Sequence, residues 1–446
     1  MQRITRAASV LMVVAMVLAV IAACAAPAAA PAGPAPEQPA AQAPAGETIK
    51  IDMWHIQTTG AGPELIQTSV DRFMQDNPNV DVEVVPLQND PYKTKIKVAM
   101  GAGNPPCIFP TWGGGPLFEY VNAGQVVDLT SYMEADNYKD RFVPASFSNV
   151  TFNDKIWGLP VENSAIAVIW YNKAIFAEYG LQPPQTWDEL LQIMDTLNAN
   201  GVAPFSMANK TKWPSSMFYM YLVDRLAGPS VFAAAATRTG GSFEDPTFVK
   251  AGELVQELVE RNGFVAGFNG LDYDTGQSRQ LLYSGKAAME LMGTWQIPAM
   301  LGENADFVAN NLDFFPFPAV TDGQGDPSNV VGTVGDNYYS ISSACAAPDE
   351  AFRLMQYLID DEAVQARGAD GRIPPVKGFT TEDPTSQRII DLIGNAQSVQ
   401  LWYDQYLPPE LGEVHKDTMQ ALFGMEVTPE QAATQHEEAA VKFFGK

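Results

Sequence analysis

Two hydrophobic periods alternate along this chain. From residue 49, IKIDMWHI repeats apolar residues in a strand-like pattern rich in β-formers. Pro63 and Glu64 then open a stretch in which Ile66, Val70, Phe73 and Met74 share one helical face, stopped at Asn77-Pro78. Val80, Val82 and Val84 alternate again, and 92–100 returns to helical spacing. The run GAGNPP breaks it, and 107–109 reads as a short buried strand. Strand–helix–strand–helix–strand within about sixty residues predicts an α/β layer with a largely parallel sheet.

A second set of elements starts near Trp157. Residues 166–171 form a continuous apolar strand. Thr186-Trp187-Asp188-Glu189 has capping-box spacing and predicts a helix over 190–197. Residues 205–300 read as mostly helical with aromatic-rich turns. Strands are expected at 312–317 and 338–342, and a helix from Asp349 carries Phe352, Met355, Leu358 and Ile359. Helices at 387–393 and 411–423 and a short one after Thr428-Pro429-Glu430 close the chain. The segment Asp322–Asp326 (DGQGD) lacks the spaced ligands of a calcium loop and reads as a hairpin loop.

The first residues break both patterns. Arg3 and Arg6 precede a short apolar run, and Ile21-Ala22-Ala23-Cys24 follows it. This arrangement is that of an export signal over 1–23 and not of a spanning helix. Its last four residues resemble the lipobox of bacterial lipoproteins, which implies lipid attachment at Cys24 and stable membrane anchoring. Residues 24–46 are mostly Ala and Pro without periodicity, the composition of a semi-extended tether.

Composition changes the picture in three places. With 46% hydrophobic and 10% aromatic residues the chain can bury sizeable cores. A formal net charge of −25 excludes nucleic acid as a partner. Of three cysteines one is assigned to the lipid; apolar neighbours around Cys107 and Cys345 suggest two buried free thiols, although the two could pair. His55, His415 and His436 have no ligand-like spacing, so no metal site is expected, and no motif calls for a cofactor.

Several segments, in order, carry a resemblance. Trp157-Gly158-Leu159-Pro160-Val161-Glu162, Ile169-Trp170-Tyr171-Asn172-Lys173 and Pro183-Pro184-Gln185-Thr186-Trp187 resemble the signature of extracellular solute-binding proteins, family 1, the sugar receptors of ABC importers. Ser284-Gly285-Lys286-Ala287-Ala288-Met289 with Gly293-Thr294-Trp295, Pro348-Asp349-Glu350-Ala351 and Gly371-Arg372-Ile373-Pro374-Pro375 continue it. The resemblance implies a periplasmic-binding-protein-like fold: two α/β lobes joined by crossover hinge strands around a ligand cleft. One lobe would be 47–159 plus 318–374 and the other 160–317 plus 375–446, with crossovers at Leu159-Pro160, Phe317-Pro318 and Pro374-Pro375. It also implies a lipid-anchored extracytoplasmic monomer that passes its ligand to an ABC permease. Residues 201–205, Lys212-Trp213-Pro214, 221–225 and the Trp402/Asp404 pair resemble the branch that binds raffinose-type oligosaccharides; xylo- and other short oligosaccharides remain open.

Sugar binding needs flat aromatic faces and polar groups for hydroxyls. Of eight tryptophans, Trp170 and Trp187 sit inside elements and Trp157 precedes a crossover, so these three are expected to be structural. Trp54, Trp112, Trp213, Trp295 and Trp402 sit where strands end or loops break and are the candidate platforms. His55 and Thr58 share the loop after the first strand. Gly113-Gly114-Gly115 beside Trp112 would let backbone approach a ligand. Asp404 and Gln405 follow Trp402, and Asp336, Asn337 and Arg372 are further cleft candidates. The resemblance adds Glu162 as an acceptor of sugar hydroxyls. The alternative to a binding protein is a secreted glycosidase working through a carboxylate pair.

Overall fold

The alternation at 49–56 becomes strand β1 (Ile49–His55), with Ile51, Met53 and His55 buried and Asp52 exposed between them. The computed structural model describes residues 48–445; the expected signal, Cys24 and the Ala/Pro tether lie outside the described residues. Helix Gly62–Asp76 follows, burying Ile66, Val70 and Phe73. It ends where Asn77 Nδ2 donates to Phe73 O at 2.8 Å, ahead of a proline that disfavours helix at 77. Strand β2 (Val80–Pro86), helix Asn89–Gly101 and β3 (Ile108–Thr111) complete the expected unit.

A two-stranded ribbon, β4 (Thr151–Phe152) and β5 (Lys155–Ile156), precedes β6 (Asn163–Asn172), all ten residues of which are buried. The remaining strands are β7 (Ala203–Phe205), β8 (Ala287–Gly293), β9 (Leu312–Phe315), β10 (Val330–Asp336), β11 (Tyr338–Ile341) and β12 (Val399–Gln400). They form two sheets. The first runs β11-β3-β1-β2, parallel throughout except for β11, which pairs antiparallel with β3. The second runs β12-β10-β6-β8-β7, with β9 also on β6. Each sheet has its own hydrophobic core, one gathered around Phe73, Phe109, Tyr339 and Met355, the other around Trp170, Leu190, Phe218 and Met419.

The cores show where the chain changes sides. It leaves the first core at Val161 and enters the second in β6. The return does not come at Phe317-Pro318. Phe317 and β10 both belong to the second body, because β10 pairs antiparallel with β6, and the chain crosses back between Asp336 and Tyr338. In the last passage Ile373 packs in the second core, Val376 in the first and Ile389 in the second again, so the chain changes sides over 373–389.

Other expectations are corrected by packing. Cys107 and Cys345 are disulfide-bonded, their Cα atoms 4.4 Å apart, so they are not free thiols. The close approach of β3 and β11 brings them together, and Ser342 N–H donates to Cys107 O at 2.9 Å. The segment 322–326 is not a hairpin: β9 and β10 both pair with β6, and Gln324 and Gly325 N–H donate to Leu226 O and Arg225 O. The last helix, Pro429–Phe444, is long. Thr428 and Gln431 form a full capping box, and Ala432, Ala433, His436 and Ala440 are buried. Strand β8, AAMELMG, was hidden in a stretch read as helical. Its residues favour helix locally, but all seven are buried between β6 and β7, and tertiary context overrides propensity. No helix of the described residues is long and apolar enough to cross a membrane.

Candidate ligand-binding cleft

In a parallel sheet the loops after the strands converge at one end, where ligands bind. Here the segments following β1, β2 and β3 bring Gln57, Thr58, Asn89, Lys93 and Trp112 to one side of a cavity. The second body supplies the opposite side: Asn163, Trp213, Met217, Met220, Tyr273, Asp274, Arg279, Trp295, Trp402, Asp404 and Gln405. Asp336, Asn337 and Arg372 come from the segments near the crossings. The cavity encloses about 1090 Å³ of empty space, part of it open to solvent.

Its aromatic side is continuous. Trp213 meets Tyr273 edge-on with ring centroids 4.7 Å apart, Trp213 meets Trp295 at 5.9 Å, and Trp295 meets Trp402 at 5.1 Å. Trp295 Nε1 donates to Tyr273 Oη at 2.8 Å, fixing the indole plane. The turn that carries Trp295 is held to β6 by Thr294 N–H, which donates to Ile166 O at 2.9 Å. Gly293 is required there, because a Cβ would lie 2.3 Å from the Trp295 ring. Trp402 is set by the short helix Tyr403–Tyr406, whose Gln405 and Tyr406 N–H groups donate to Trp402 O. On the facing side, Trp112 is covered by Lys93 Nζ, 4.8 Å from the ring centroid.

The polar groups are held by one another. Lys93 Nζ lies 3.8 Å from Asp404 Oδ2, an ion pair between the two bodies, and Gln405 Nε2 donates to the same oxygen at 2.9 Å. Arg372 Nη1 donates to Gln57 Oε1 at 2.7 Å and to Glu162 Oε2 at 3.2 Å, and its Nε donates to Asp370. Asn337 Nδ2 donates to Asp336 Oδ2 at 2.9 Å.

Of the expected site residues, Thr58, Trp112, Trp213, Trp295, Asn337, Arg372, Trp402, Asp404 and Gln405 line this cavity. Trp54, His55 and Glu162 do not. Trp54 lies on the other face of β1 from Met53 and His55, under Lys95 Nζ at 4.2 Å. His55 is 2% exposed; its Nδ1 accepts from Gln57 N–H, and burial, opposed by Glu162, lowers it to about 4. Glu162 is 1% exposed and taken by Arg367 at 3.3 Å, Arg372 and Tyr339 Oη. Burial raises its carboxyl, but the two guanidiniums outweigh that and hold it below the usual range. It positions Arg372 from beneath. The glycine run also differs from its expected use: a Cβ on Gly114 or Gly115 would strike the carbonyls of Gln405 and Leu407, so these glycines admit protein backbone from the other body.

Tyr273, Asp274, Lys93 and Arg279 were not anticipated. Tyr273 and Asp274 sit in a Gly-bounded turn, GLDYDTG, whose aromatic and acidic mixture is the signal available. Lys93 and Arg279 lie on helices and carried none.

Two α/β bodies with a walled cavity between them and an aromatic side facing a polar one define a solute receptor. Residues 58–365 match the profile of the bacterial extracellular solute-binding proteins, and the chain belongs to that family. It is 25% identical over 361 residues to an ABC transporter extracellular-binding protein of Pyrococcus horikoshii, covering 78% of this chain and 77% of the relative. A solved structure from work on xylan utilization by the thermophilic bacterium Caldanaerobius polysaccharolyticus superposes with a TM-score of 0.81 at 30% identity, covering 87% of this chain and 99% of the other. A chitin oligosaccharide binding protein superposes at 0.82 with 24% identity, covering 90% and 100%.

Proposed function

We propose that the protein captures a neutral oligosaccharide, raffinose-type, xylo- or similar, between its two lobes and delivers it to the membrane permease of an ABC importer. The observation that carries this reading is the unbroken aromatic side, Trp213–Tyr273–Trp295–Trp402, opposite Trp112 and a polar set of amides and charges. Aromatic faces take the C–H faces of pyranose rings, and the polar set takes the hydroxyls. Xylan utilization and chitin-oligosaccharide binding in structurally similar proteins support the same ligand class. The lobes, parted at the three passages of the chain, would close over the sugar by a hinge motion. Ligand-binding roles go to Thr58, Trp112, Trp213, Trp295, Asn337, Arg372, Trp402, Asp404 and Gln405, joined by Tyr273 and Lys93. No bond is broken in this reading. The receptor would work as a monomer outside the cytoplasm, held to the membrane by a lipid on Cys24.

Calorimetric titration with raffinose, xylotriose and triacetylchitotriose, with product analysis after incubation, tests this. Saturable binding without hydrolysis, together with a smaller scattering radius in the bound state, is expected. Hydrolysis would reinstate the glycosidase reading, and silence with all three sugars would remove the oligosaccharide.

A further inference from the structure

The cavity holds more negative charge than its cations neutralise. Three carboxylates line it, Asp274, Asp336 and Asp404, and each cation beside them is already engaged. Lys93 pairs with Asp404, Arg279 donates through Nε and Nη2 to Glu303, and Arg372 is shared between Glu162 and Asp370. Among the described residues neither Asp274 nor Asp336 forms an ion pair.

Asp336 is the sharper case. It is 2% exposed and Asn337 is 7% exposed. Asp336 Oδ2 is satisfied by the Asn337 amide, but Asp336 Oδ1 and Asn337 Oδ1 have no hydrogen-bond partner among the described residues. A buried acceptor left unpaired costs free energy that a ligand donor recovers. Asn337 stands at φ 52°, in the left-handed region, at the point where the chain passes from β10 to β11. Both residues line the cavity, and a backbone corner fixes their two unpaired acceptors in its wall. Burial, opposed by the Asn337 backbone N–H and reinforced by Glu162, pushes the Asp336 carboxyl up to about 7, and burial with Asp90 pushes Asp274 to about 6. Lys93 and Arg372 pull Asp336 down and Lys93 pulls Asp274 down, but these cations do not offset the burial.

Resting on the oligosaccharide reading, we propose that Asp336 is a specificity determinant. With Asn337 it accepts hydrogen bonds from ligand hydroxyls, and together with Asp274 it makes the cleft reject oligosaccharides that carry a uronate. A hydroxyl donates to the free oxygens at no electrostatic cost. A ligand carboxylate brings another anion into a confined site whose cations are spoken for, and like charges at such range strongly discriminate against a partner.

The test uses whichever of raffinose, xylotriose and triacetylchitotriose binds the wild-type protein most tightly, and its acidic counterpart. The counterparts are raffinose oxidised to the carboxylate at galactosyl C6, xylotriose bearing one glucuronate, and triacetylchitotriose oxidised at one C6. Titrations run at mildly alkaline pH, where Asp336 is ionised. The acidic sugar is expected to bind at least about 30-fold more weakly, and the ratio to narrow as salt rises. In Asp336→Asn the neutral sugar should itself bind more weakly, while the acid-to-neutral ratio falls at least about fivefold. Equal affinity for both sugars in the wild type overturns the proposal, and so does an unchanged ratio in a folded Asp336→Asn protein. If that variant does not fold, the wild-type ratio and its salt dependence decide. If no neutral sugar binds the wild type, the oligosaccharide reading falls and this inference with it, a result distinct from equal binding of both.

Discussion

Trp295 shows how one side chain is placed by its neighbours. Its indole lies where a Cβ on Gly293 would be, is tied to Tyr273 by its N–H, and abuts Trp213 and Trp402. Trp295→Ala and Trp402→Ala are each expected to weaken sugar binding by about 1–3 kcal/mol, the scale for losing a large aromatic anchor. Unchanged affinity in both, by calorimetry, would refute the aromatic platform. Gly293→Ala is expected to displace the indole, costing about 1–3 kcal/mol of stability through overpacking and lowering affinity with it. Denaturant titration and ligand titration of the same variant check the two effects. The candidate platforms were legible as tryptophans at strand ends. Trp54 satisfied that rule but packs against the first core under Lys95 Nζ, 4.2 Å from its ring centroid. Glu162 was expected at the ligand and lies beneath it, since two guanidiniums within 3.3 Å claim its oxygens.

Elements with strong local signals formed where the sequence put them. The Thr186 capping box is complete: Glu189 N–H donates to Thr186 Oγ1 and Glu189 Oε2 accepts from Thr186 N–H. Helix Gly62–Asp76 has the buried face its period implied. Strands β8 and β10 gave weaker signals, because a central strand can take residues whose local preference is helical or, as with the two glycines of β10, indifferent. The disulfide is an effect at this scale. It joins the residue before β3 to the turn after β11 across a sequence separation of 238, and no local pattern reports such a distance. Its reduction is expected to cost about 2–5 kcal/mol. A thermal melt with and without reductant, repeated on a Cys107→Ala/Cys345→Ala variant, measures it; identical melting temperatures would show that the bridge contributes nothing.

At the scale of the whole molecule, buried histidines tie folding to pH. Ser216 Oγ lies 2.5 Å from His415 Nε2, and His415 Nδ1 lies 3.2 Å from His436 Nε2, which joins three helices in the second core. Burial lowers both: His436 to about 4, and His415 well below its usual value, with His436 adding to the effect. With His55 also at about 4, the unfolded chain takes up protons below pH about 6.5 that the folded chain refuses. Stability should therefore fall as pH drops from about 6.5 toward 4. Asp336 acts in the opposite sense: its raised pKa favours the fold at low pH and loses that contribution as pH rises through about 7. Denaturant midpoints across this range should show a shallower acid loss in His436→Gln than in the wild type. An equal slope would place the proton uptake elsewhere.

The sequence by itself determined the α/β class, the order of most elements, the family and four of the aromatic residues that line the cleft, Trp112, Trp213, Trp295 and Trp402. These follow from local periods, caps and motifs, which act over a few residues. Tertiary structure alone decided the passage between bodies at 336–338, the pairing of Cys107 with Cys345, the burial of Glu162, and the meeting of Lys93 with Asp404. Each of these depends on which distant segments share one sheet or one cavity. Many register and burial patterns satisfy the same local periods, and only the joint packing of two cores selects among them.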